Sequence, residues 1–488
     1  MRVYDIAVVG AGPAGIMSCI RAAGYKPEGS GAASDSQSHN KTVVLIERNN
    51  TIGKKILLSG KGRCNITNII PLDEFMAKFG RQGEFLRSAF SKFFNQDLID
   101  FFKAKGLELK IERQGRVFPL TDRAASVIAV LNKCLLESKV KVLYNKRVSA
   151  ISQPAVPPKA ESAVGVIGGA LAAAISQRAM VGNRIAAAIG QRAMVRLPIA
   201  AAIKKEKGLF RLFLEGGQEL SAKKVILATG GRSFSFTGST GDGFIIAAKL
   251  GHTIVPLRPG LVPLRTEETW VRELKGLRLK NIRLTFKAKN KKIVSNTGEL
   301  LFTHFGVSGP LVLDLSSSVL GLFNENKEVI LEIDLKPGLS PKQLEERLLR
   351  EFGIAGKKSV KNVLKELLPH KLAGVFVHLL GIDYNKRASQ VTREERCSIQ
   401  NMLKSLRLHI AGSLPLEEAM VTSGGVSTKE INPRTMESKI VRGLYFAGEI
   451  INGSASSGGY NLQQAFSTGY LAGEQAALDD RGRMTEEG

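Results

Sequence analysis

Between residues 6 and 47 the chain carries a glycine turn of fixed spacing, set between two apolar runs. Ile6-Ala-Val-Val9 leads into Gly10-Ala11-Gly12-Pro13-Ala14-Gly15, and Ile16-Met-Ser-Cys-Ile-Arg-Ala-Ala23 follows as a helical stretch. A second apolar run, Thr42 to Ile46, is closed by Glu47. Strand, tight turn, helix and strand in that order make a βαβ unit of parallel type. In such a turn the first glycine makes the bend, the second lets backbone approach a pyrophosphate, and the third allows helix and strand to touch. The spacing predicts a bound dinucleotide with its phosphates at the helix amino terminus and its adenosine ribose on Glu47. A purely structural glycine turn is the alternative, and the acid closing the second strand speaks against it. From Gly10 to Glu47 is 37 residues, whereas the acid usually stands about 20 past the glycines. The excess, about 24–41, is rich in Gly, Ser, Ala and Asn and reads as a surface insertion.

A second irregular stretch, about 153–206, contains a short duplication: Ala172-Ala-Ala-Ile-Ser-Gln-Arg-Ala-Met-Val returns as Ala186-Ala-Ala-Ile-Gly-Gln-Arg-Ala-Met-Val. Solenoids need longer units that stack, so this reads as an expanded hairpin loop, with an amphipathic contact helix as the alternative. Within it, Val166-Ile-Gly-Gly-Ala lacks both the glycine spacing and a following acid, and is not a second nucleotide turn. Strand Lys224 to Ala228 then meets Thr229-Gly230-Gly231. From about Leu261 the texture changes: Ile282, Leu284 and Phe286 alternate with Arg283, Thr285 and Lys287, the period of a strand with one wet face. Residues 341–410 carry helical periodicity, and the last 45 or so return to strand, turn and helix.

That return bears on which dinucleotide is bound. Ala228-Thr229-Gly230 at one strand end and Phe446-Ala-Gly448-Glu449 at another supply the further contacts that FAD needs and NAD alone would not require. Glu449 suits the ribityl or phosphate region, a surface turn acid being the alternative. The helix start near Asn461, with Gly459 and Leu462 around it, would place positive potential at flavin N1 and O2.

Five stretches resemble the BaiN/YhiN flavoprotein family: Gly53 to Asn68, Thr237 to Gly243, Leu301 to Pro310, Thr422 to Val426 and Gly458 to Gln463, with weaker support from Thr435 to Lys439. The family comprises FAD-dependent oxidoreductases whose relatives include aminoacetone oxidase and a reductase of bile-acid intermediates. The resemblance implies an α/β fold: a Rossmann-like FAD-binding domain, a β-barrel-like substrate domain inserted into it and a small α-helical subdomain inserted in turn. The expected boundaries are 1–260 and 443–488 for the FAD-binding domain, 261–340 and 411–442 for the β-rich domain, and 341–410 for the helical insert. Carried over by position, Gly10, Ala11, Gly12, Pro13, Ala14 and Gly15 hold the pyrophosphate and Glu47, with Arg48, the ribose. Ser59, Gly60, Gly62, Arg63, Cys64 and Asn65 line the flavin. A surface ion pair is the alternative for Arg63, and simple packing for Cys64; no second cysteine lies nearby to make a disulfide relay. The chain departs from the family at Asn452 and Ser454, where acids are usual, so substrate and flavin potential do not transfer with the fold.

Lys and Arg exceed Asp and Glu by a formal +26, which fits an anionic partner: nucleotide, RNA, acidic substrate or membrane surface. The longest apolar run, Ala163 to Ile175, has 13 residues, short of the roughly 20 that span a bilayer, so no membrane span is expected. Four separated cysteines without a CxxC suggest neither disulfides nor a metal site, and the amino terminus shows no export signal; a reducing cytoplasm fits. His304 is the candidate for proton transfer, with a structural histidine as the alternative, and Asp242 is a ligand contact or a turn former. The leading reading is an FAD oxidoreductase acting on a small-molecule substrate, with NAD(P)H docking transiently as donor or oxygen as oxidant. The others are an RNA-associated flavoprotein and a noncatalytic FAD-bound scaffold. For RNA, Pro263 to Lys292 holds ten Lys or Arg against three Glu, yet rings are sparse there and a solvated strand face reads better.

Overall fold

The structure, a computed structural model, describes residues 3–25, 41–154, 208–326 and 328–478. The first insertion falls almost wholly outside the described residues, as do the duplication and the Val166 turn. The described residues through Ser152 and from Phe210 onward form one compact unit.

Four parallel strands end side by side. Val3–Val9 pairs with Val43–Ile46 on one side and Glu219–Leu227 on the other, and Leu444–Phe446 joins the far edge of Glu219–Leu227. The register sets Val9 opposite both Ile46 and Leu227, and Leu227 opposite Phe446. Lys141–Leu143 extends the sheet beyond Val43–Ile46. Val43–Ile46 is buried throughout, as strands covered on both faces must be. Val148–Ser152 and Phe210–Leu214 pair antiparallel at the other edge, the two arms of the expected hairpin.

Helix Pro13–Ala22, most of it buried, packs on this sheet beside the carboxy-terminal helix Tyr460–Ala477, which itself touches Glu219–Leu227 and Leu444–Phe446. The helices meet through glycine. A β-carbon on Gly469 would stand 2.3 Å from the Ala14 carbonyl oxygen, and one on Gly473 would stand 2.3 Å from that of Ser18. This crossing brings the end of the chain back to the beginning.

The chain leaves through strand Ile254–Gly260 and returns through Val421–Val426, which pair as an antiparallel ribbon. Beyond the ribbon six antiparallel strands close into a ring: Arg278–Ala288, Gly298–Phe302, Gly306–Ser308, Leu264–Thr266, Leu406–Ser413 and Ile330–Asp334. Closure removes the exposed edges an open sheet would carry. Arg278–Ala288 makes it possible by serving two partners, its first half on Gly298–Phe302 and its second on Ile330–Asp334. The register slips between Leu279 and Ile282, where Asn281 takes a left-handed conformation (φ 54°) and bends the strand. Leu284 and Phe286 are fully buried while Arg283 and Lys287 face water, as the alternation predicts.

Helices Pro341–Ile354, Val360–Leu364, His370–Leu379 and Arg393–Lys404 fill the insert. Ser340 with Gln343, and Thr392 with Glu395, form reciprocal capping boxes that start the first and last of them. The helical part ends at Lys404 rather than near 410. Leu406, Leu408 and Ile410 are buried and Arg407 and His409 exposed, a period of two that belongs to the barrel strand Leu406–Ser413. No described helix is long and apolar enough to cross a membrane, and the described residues hold no cluster of potential metal ligands.

Gly473→Leu should lower the thermal unfolding midpoint by an amount equivalent to about 1–3 kcal/mol, the usual cost of overpacking. Gly321→Ala, in helix Pro310–Asn326 with open space around it, should leave the midpoint unchanged or raise it. Calorimetry of the two variants compares them.

Candidate cofactor site

The sheet delivers four chain segments to one edge, at the carboxyl ends of its parallel strands: Gly10, Glu47, Ala228 and Ala447 each follow a strand's last residue. Such an edge is where α/β sheets place ligands. The three glycines of the turn have three different surroundings. Gly10 takes φ 102°, and a β-carbon there would press on the Ala228 carbonyl oxygen at 2.6 Å. At Gly15 it would stand 1.9 Å from the Gly10 carbonyl oxygen. At Gly12 it would meet nothing within 4 Å. Two glycines are thus closed against protein and the middle one faces open space. Gly12 also occupies the N-cap of helix Pro13–Ala22 and brings no side chain to it, and Pro13 at N1 has no N–H to satisfy. The first-turn N–H groups, Ala14 and Gly15 among them, are left for an anion.

Glu47 is buried and already bonded. Its Oε2 accepts from the Ala11 N–H at 2.8 Å, and Oε1 accepts from the main-chain and side-chain N–H groups of Asn49 at 2.8 and 2.7 Å. A carboxylate has about four acceptor positions, so three protein bonds leave one on Oε2, enough for a ribose hydroxyl. Arg48 turns elsewhere: its Nη1 donates to Thr240 Oγ1 at 2.6 Å and Asp242 Oδ2 at 3.2 Å. Asp242 is gripped by Arg147 through two bonds of 2.7 and 2.8 Å. Burial works to raise the Asp242 pKa, and the Arg147 fork outweighs it and holds the carboxyl below its ordinary value. Asp242 is a structural ion-pair centre at the start of helix Asp242–Lys249.

The stretch from Gly53 to Asn68 is tied to the glycine turn by the Gly53 N–H, which donates to the Ala11 carbonyl at 2.8 Å. Its middle is a chain of left-handed residues, Gly60, Lys61, Gly62 and Cys64. A β-carbon on Gly60 would approach the Asn65 nitrogen at 2.8 Å. Ser59 Oγ donates to the Ile56 carbonyl at 2.7 Å. Cys64 is fully buried; burial pushes its thiol up to about 12, although a bond with Ser59 works the other way. This is a packed, unreactive thiol. The Arg63 guanidinium bonds Glu112 and, at 2.8 Å, Asp122, while lying 4.1 Å over the Phe118 ring. It is committed to that ion-pair cluster.

Glu449 is the hub of a network that the sequence reading did not foresee. Its Oε2 accepts from Lys55 Nζ at 2.8 Å, and its Oε1 from the Thr422 N–H at 2.6 Å and Ser233 Oγ at 3.1 Å. Lys55 also donates to Ser233 Oγ at 2.6 Å, and Thr422 Oγ1 accepts from the Arg232 and Ser233 N–H groups. Three motif segments and the adjoining Arg232 and Ser233 are locked together here. Gly448, at φ 79°, donates its N–H to Thr468 Oγ1 at 2.9 Å and abuts Ala14. Gly459, at φ 97°, N-caps the carboxy-terminal helix, and a β-carbon there would strike the Thr67 carbonyl oxygen at 2.5 Å. Asn461 fastens Ala455 through both its side-chain groups, at 2.9 and 3.0 Å, and Leu462 packs against the core.

Four buried polar atoms in these motifs lack a hydrogen-bond partner: Asn65 Oδ1, Thr67 Oγ1, Thr229 Oγ1 and Gln463 Oε1. Buried polar atoms are rarely left so; Thr229 Oγ1 packs against Gly243, and Asn65 Oδ1 lies beside the left-handed turn at Gly60. Ala228 is buried, and Gly230 stands at φ 74° beside Ser239. His304 lies elsewhere. It is exposed, edge-on to Phe305 at 4.9 Å, and lines a cavity of about 420 Å³ in the barrel with Arg265, Glu268 and Arg272. None of the residues lining that cavity belongs to the glycine turn, the Gly53–Asn68 stretch or the Gly458–Gln463 motif.

The contrast between the glycines separates binding from folding. Gly12→Ala should keep the thermal midpoint of the cofactor-free protein and weaken FAD binding about tenfold to a hundredfold, the loss of one charge-assisted contact. Gly15→Ala should lower the midpoint itself, because the Gly10 carbonyl must move. Calorimetry and FAD titration distinguish the two.

Comparison with known proteins agrees with this geometry. Residues 4–162 match the Rossmann domain of the HI0933-like proteins, and residues 258–421 match their barrel and H2TH domain. The chain is 29% identical over 472 residues to 3-dehydro-bile acid delta(4,6)-reductase of Clostridium scindens, covering 97% of this chain and 98% of that one. It is 28% identical over 475 residues to a protein named ribosomal RNA dihydrouridine synthase in Escherichia coli, again covering 97% and 98%. Among solved structures, a flavocytochrome c3 fumarate reductase covers 98% of this chain, with 79% of its own length covered, at 15% identity and a TM-score of 0.46. With residues 4–162 and 258–421 matching its Rossmann domain and its barrel and H2TH domain in order, the chain belongs to the HI0933-like family of FAD-dependent oxidoreductases.

Proposed function

We propose that this protein reduces a carbon–carbon double bond conjugated to a carbonyl in a small or hydrophobic organic substrate, with FAD as its resident cofactor. FAD, when bound, supplies hydride exchange at flavin N5. The observation that carries the reading is the cradle at the strand ends. Gly12 is open where a pyrophosphate approaches, Glu47 keeps one acceptor for a ribose, and the buried Asn65 Oδ1 has no protein partner. The residues present fit the cofactor. Ala14 and Gly15 would offer N–H groups to the pyrophosphate, and the start of helix Tyr460–Ala477 would set positive potential beside the ring system. The relative that reduces delta(4,6) bile-acid intermediates supports the choice of bond, since a double bond at carbon 4 beside a 3-oxo group is conjugated with it. Conjugation lowers the cost of hydride addition by spreading the developing negative charge onto oxygen. The electron donor in this reading is a reduced nicotinamide dinucleotide that docks transiently.

A second reading, the uracil ring of an RNA as the substrate carrying that bond, is favoured by one surface feature. Lys357, Lys358 and Arg387 surround an open concavity of about 550 Å³ in the helical insert, with Ile354 at its rim 80% exposed. Among the described residues no carboxylate pairs with these three cations, a face suited to a phosphate backbone.

An anaerobic cuvette tests both. Flavin absorbance should bleach with NADH or NADPH and return when a 3-oxo-Δ4 steroid is added. Return with uridine-containing RNA only, with a rate that falls steeply with salt, selects the second reading. Return with neither, or with oxygen alone, contradicts the proposal.

A further inference from the structure

The reduction just proposed needs a proton as well as a hydride, and neither His304 nor the cysteines are placed to give it. The loop before the carboxy-terminal helix, Ile450 to Gly459, contains no carboxylate. An acid nevertheless reaches it from the barrel. Asp314, on helix Pro310–Asn326, accepts the Ser457 N–H at Oδ1 over 2.8 Å. Ser457 stands two residues before the helix N-cap Gly459, in a loop held on one side by Asn461 at Ala455 and on the other by Asn68 Nδ2, which donates to the Gly458 carbonyl at 3.2 Å. The loop is therefore fixed to the Gly53–Asn68 stretch, and Asp314 ties the barrel's helix Pro310–Asn326 to the loop that opens the carboxy-terminal helix.

We propose that Asp314 is the proton donor of this site, giving its carboxyl proton to the carbon adjacent to the substrate carbonyl. The inference rests on the double-bond reading. In the step, the Asp314 O–H bond breaks and a C–H bond forms next to the carbonyl. The other alkene carbon gains hydride from reduced flavin, which is oxidised, and the Asp314 carboxylate recovers a proton from water. Hydride plus proton account for the two hydrogens that the double bond gains.

The surroundings fit the role. Asp314 is exposed on the side that opens to solvent and crowded by protein on the others. That crowding raises its pKa, and wins over the Ser457 bond and the fields of Lys78 and Arg116, which all act to lower it. A raised carboxyl is nearer to neutrality, where a general acid works best. Tyr460, which with Glu74 faces the same corner, moves the opposite way for this purpose: burial, Asp314 and Glu74 push its phenol further above neutrality. Its ring also packs 4.8 Å from that of Phe75.

The test uses the FAD-loaded protein reduced anaerobically with dithionite and mixed with cyclohex-2-enone in a stopped flow. Asp314→Asn keeps an acceptor for the Ser457 N–H and should slow re-oxidation by about a hundredfold or more. The wild-type rate should fall as pH rises through the raised Asp314 pKa, while the Asn variant should show no such limb and Asp314→Glu should recover it. Infrared titration of the cofactor-free chain reads the same group without turnover: a carboxyl that deprotonates above the usual aspartate range should be present in the wild type and missing in Asp314→Asn. An Asn variant as fast as the wild type with the same pH profile, or an infrared titration without that carboxyl, overturns the assignment alone. A wild-type protein that no enone re-oxidises overturns the double-bond reading, and the assignment with it.

Discussion

A single contact between main-chain atoms sets the geometry of the site. The carbonyl oxygen of Gly10 occupies the place where a β-carbon at residue 15 would stand, 1.9 Å away. Only because residue 15 has no side chain can helix Pro13–Ala22 lie so close to the strand that precedes it. That closeness aims the first turn of the helix over the sheet's edge. On another face of the same helix, Gly469 and Gly473 of the carboxy-terminal helix lie against the carbonyls of the small residues Ala14 and Ser18. The two helices run parallel, and because Gly469 stands nine residues into the second one, the carboxy-terminal helix starts roughly 13 Å beyond the start of helix Pro13–Ala22. Since each brings the positive end of its dipole, the site suits a ligand with anionic phosphates at one end and a charge-accepting ring at the other.

The barrel is attached to this arrangement through polar contacts rather than through a shared apolar core. Its hydrophobic cluster, around Leu264, Leu284, Phe286 and Leu408, is distinct from the one beneath the parallel sheet. What joins the two halves near the cradle is the Ile254–Gly260 and Val421–Val426 ribbon, the Glu449 hub at Thr422 and the Asp314–Ser457 bond. Interfaces of this polar kind allow relative movement of domains. A flavoenzyme that must admit a substrate and then exclude water has use for such an attachment.

Much of this was legible in the sequence where the chemistry is local. The glycine turn, Glu47, the strand-like run to Ala228 and the carboxy-terminal return all follow from spacing within some tens of residues, and each stands at the same edge of the sheet. What escaped was set by contacts between distant residues. Lys55 and Glu449 are 394 positions apart, and no periodicity links them. Arg63 and Arg48 look like cofactor ligands in a motif, but partners brought by folding, Glu112 with Asp122 and Asp242, hold both guanidinium groups. Asp314 lies outside every stretch of family resemblance, four residues past Pro310, and meets Ser457 only through docking of the barrel. Strand Leu406–Ser413 follows helix Arg393–Lys404 with only Ser405 between, so no Gly or Pro marks the change of period in the sequence.

The cradle should distinguish flavins by length. In the proposed binding mode FAD would reach Gly12 with its pyrophosphate and Glu47 with its adenosine ribose, whereas FMN ends at a monophosphate and would leave Glu47 without a ribose. Equilibrium titration of the cofactor-free protein with each flavin, followed by fluorescence, measures the difference. FAD should bind at least about a hundredfold more tightly than FMN, equivalent to roughly 2.7 kcal/mol from the added adenosine and phosphate contacts. Equal affinity for the two, or no binding of either, would contradict the assignment of the strand-end cradle as the cofactor's seat.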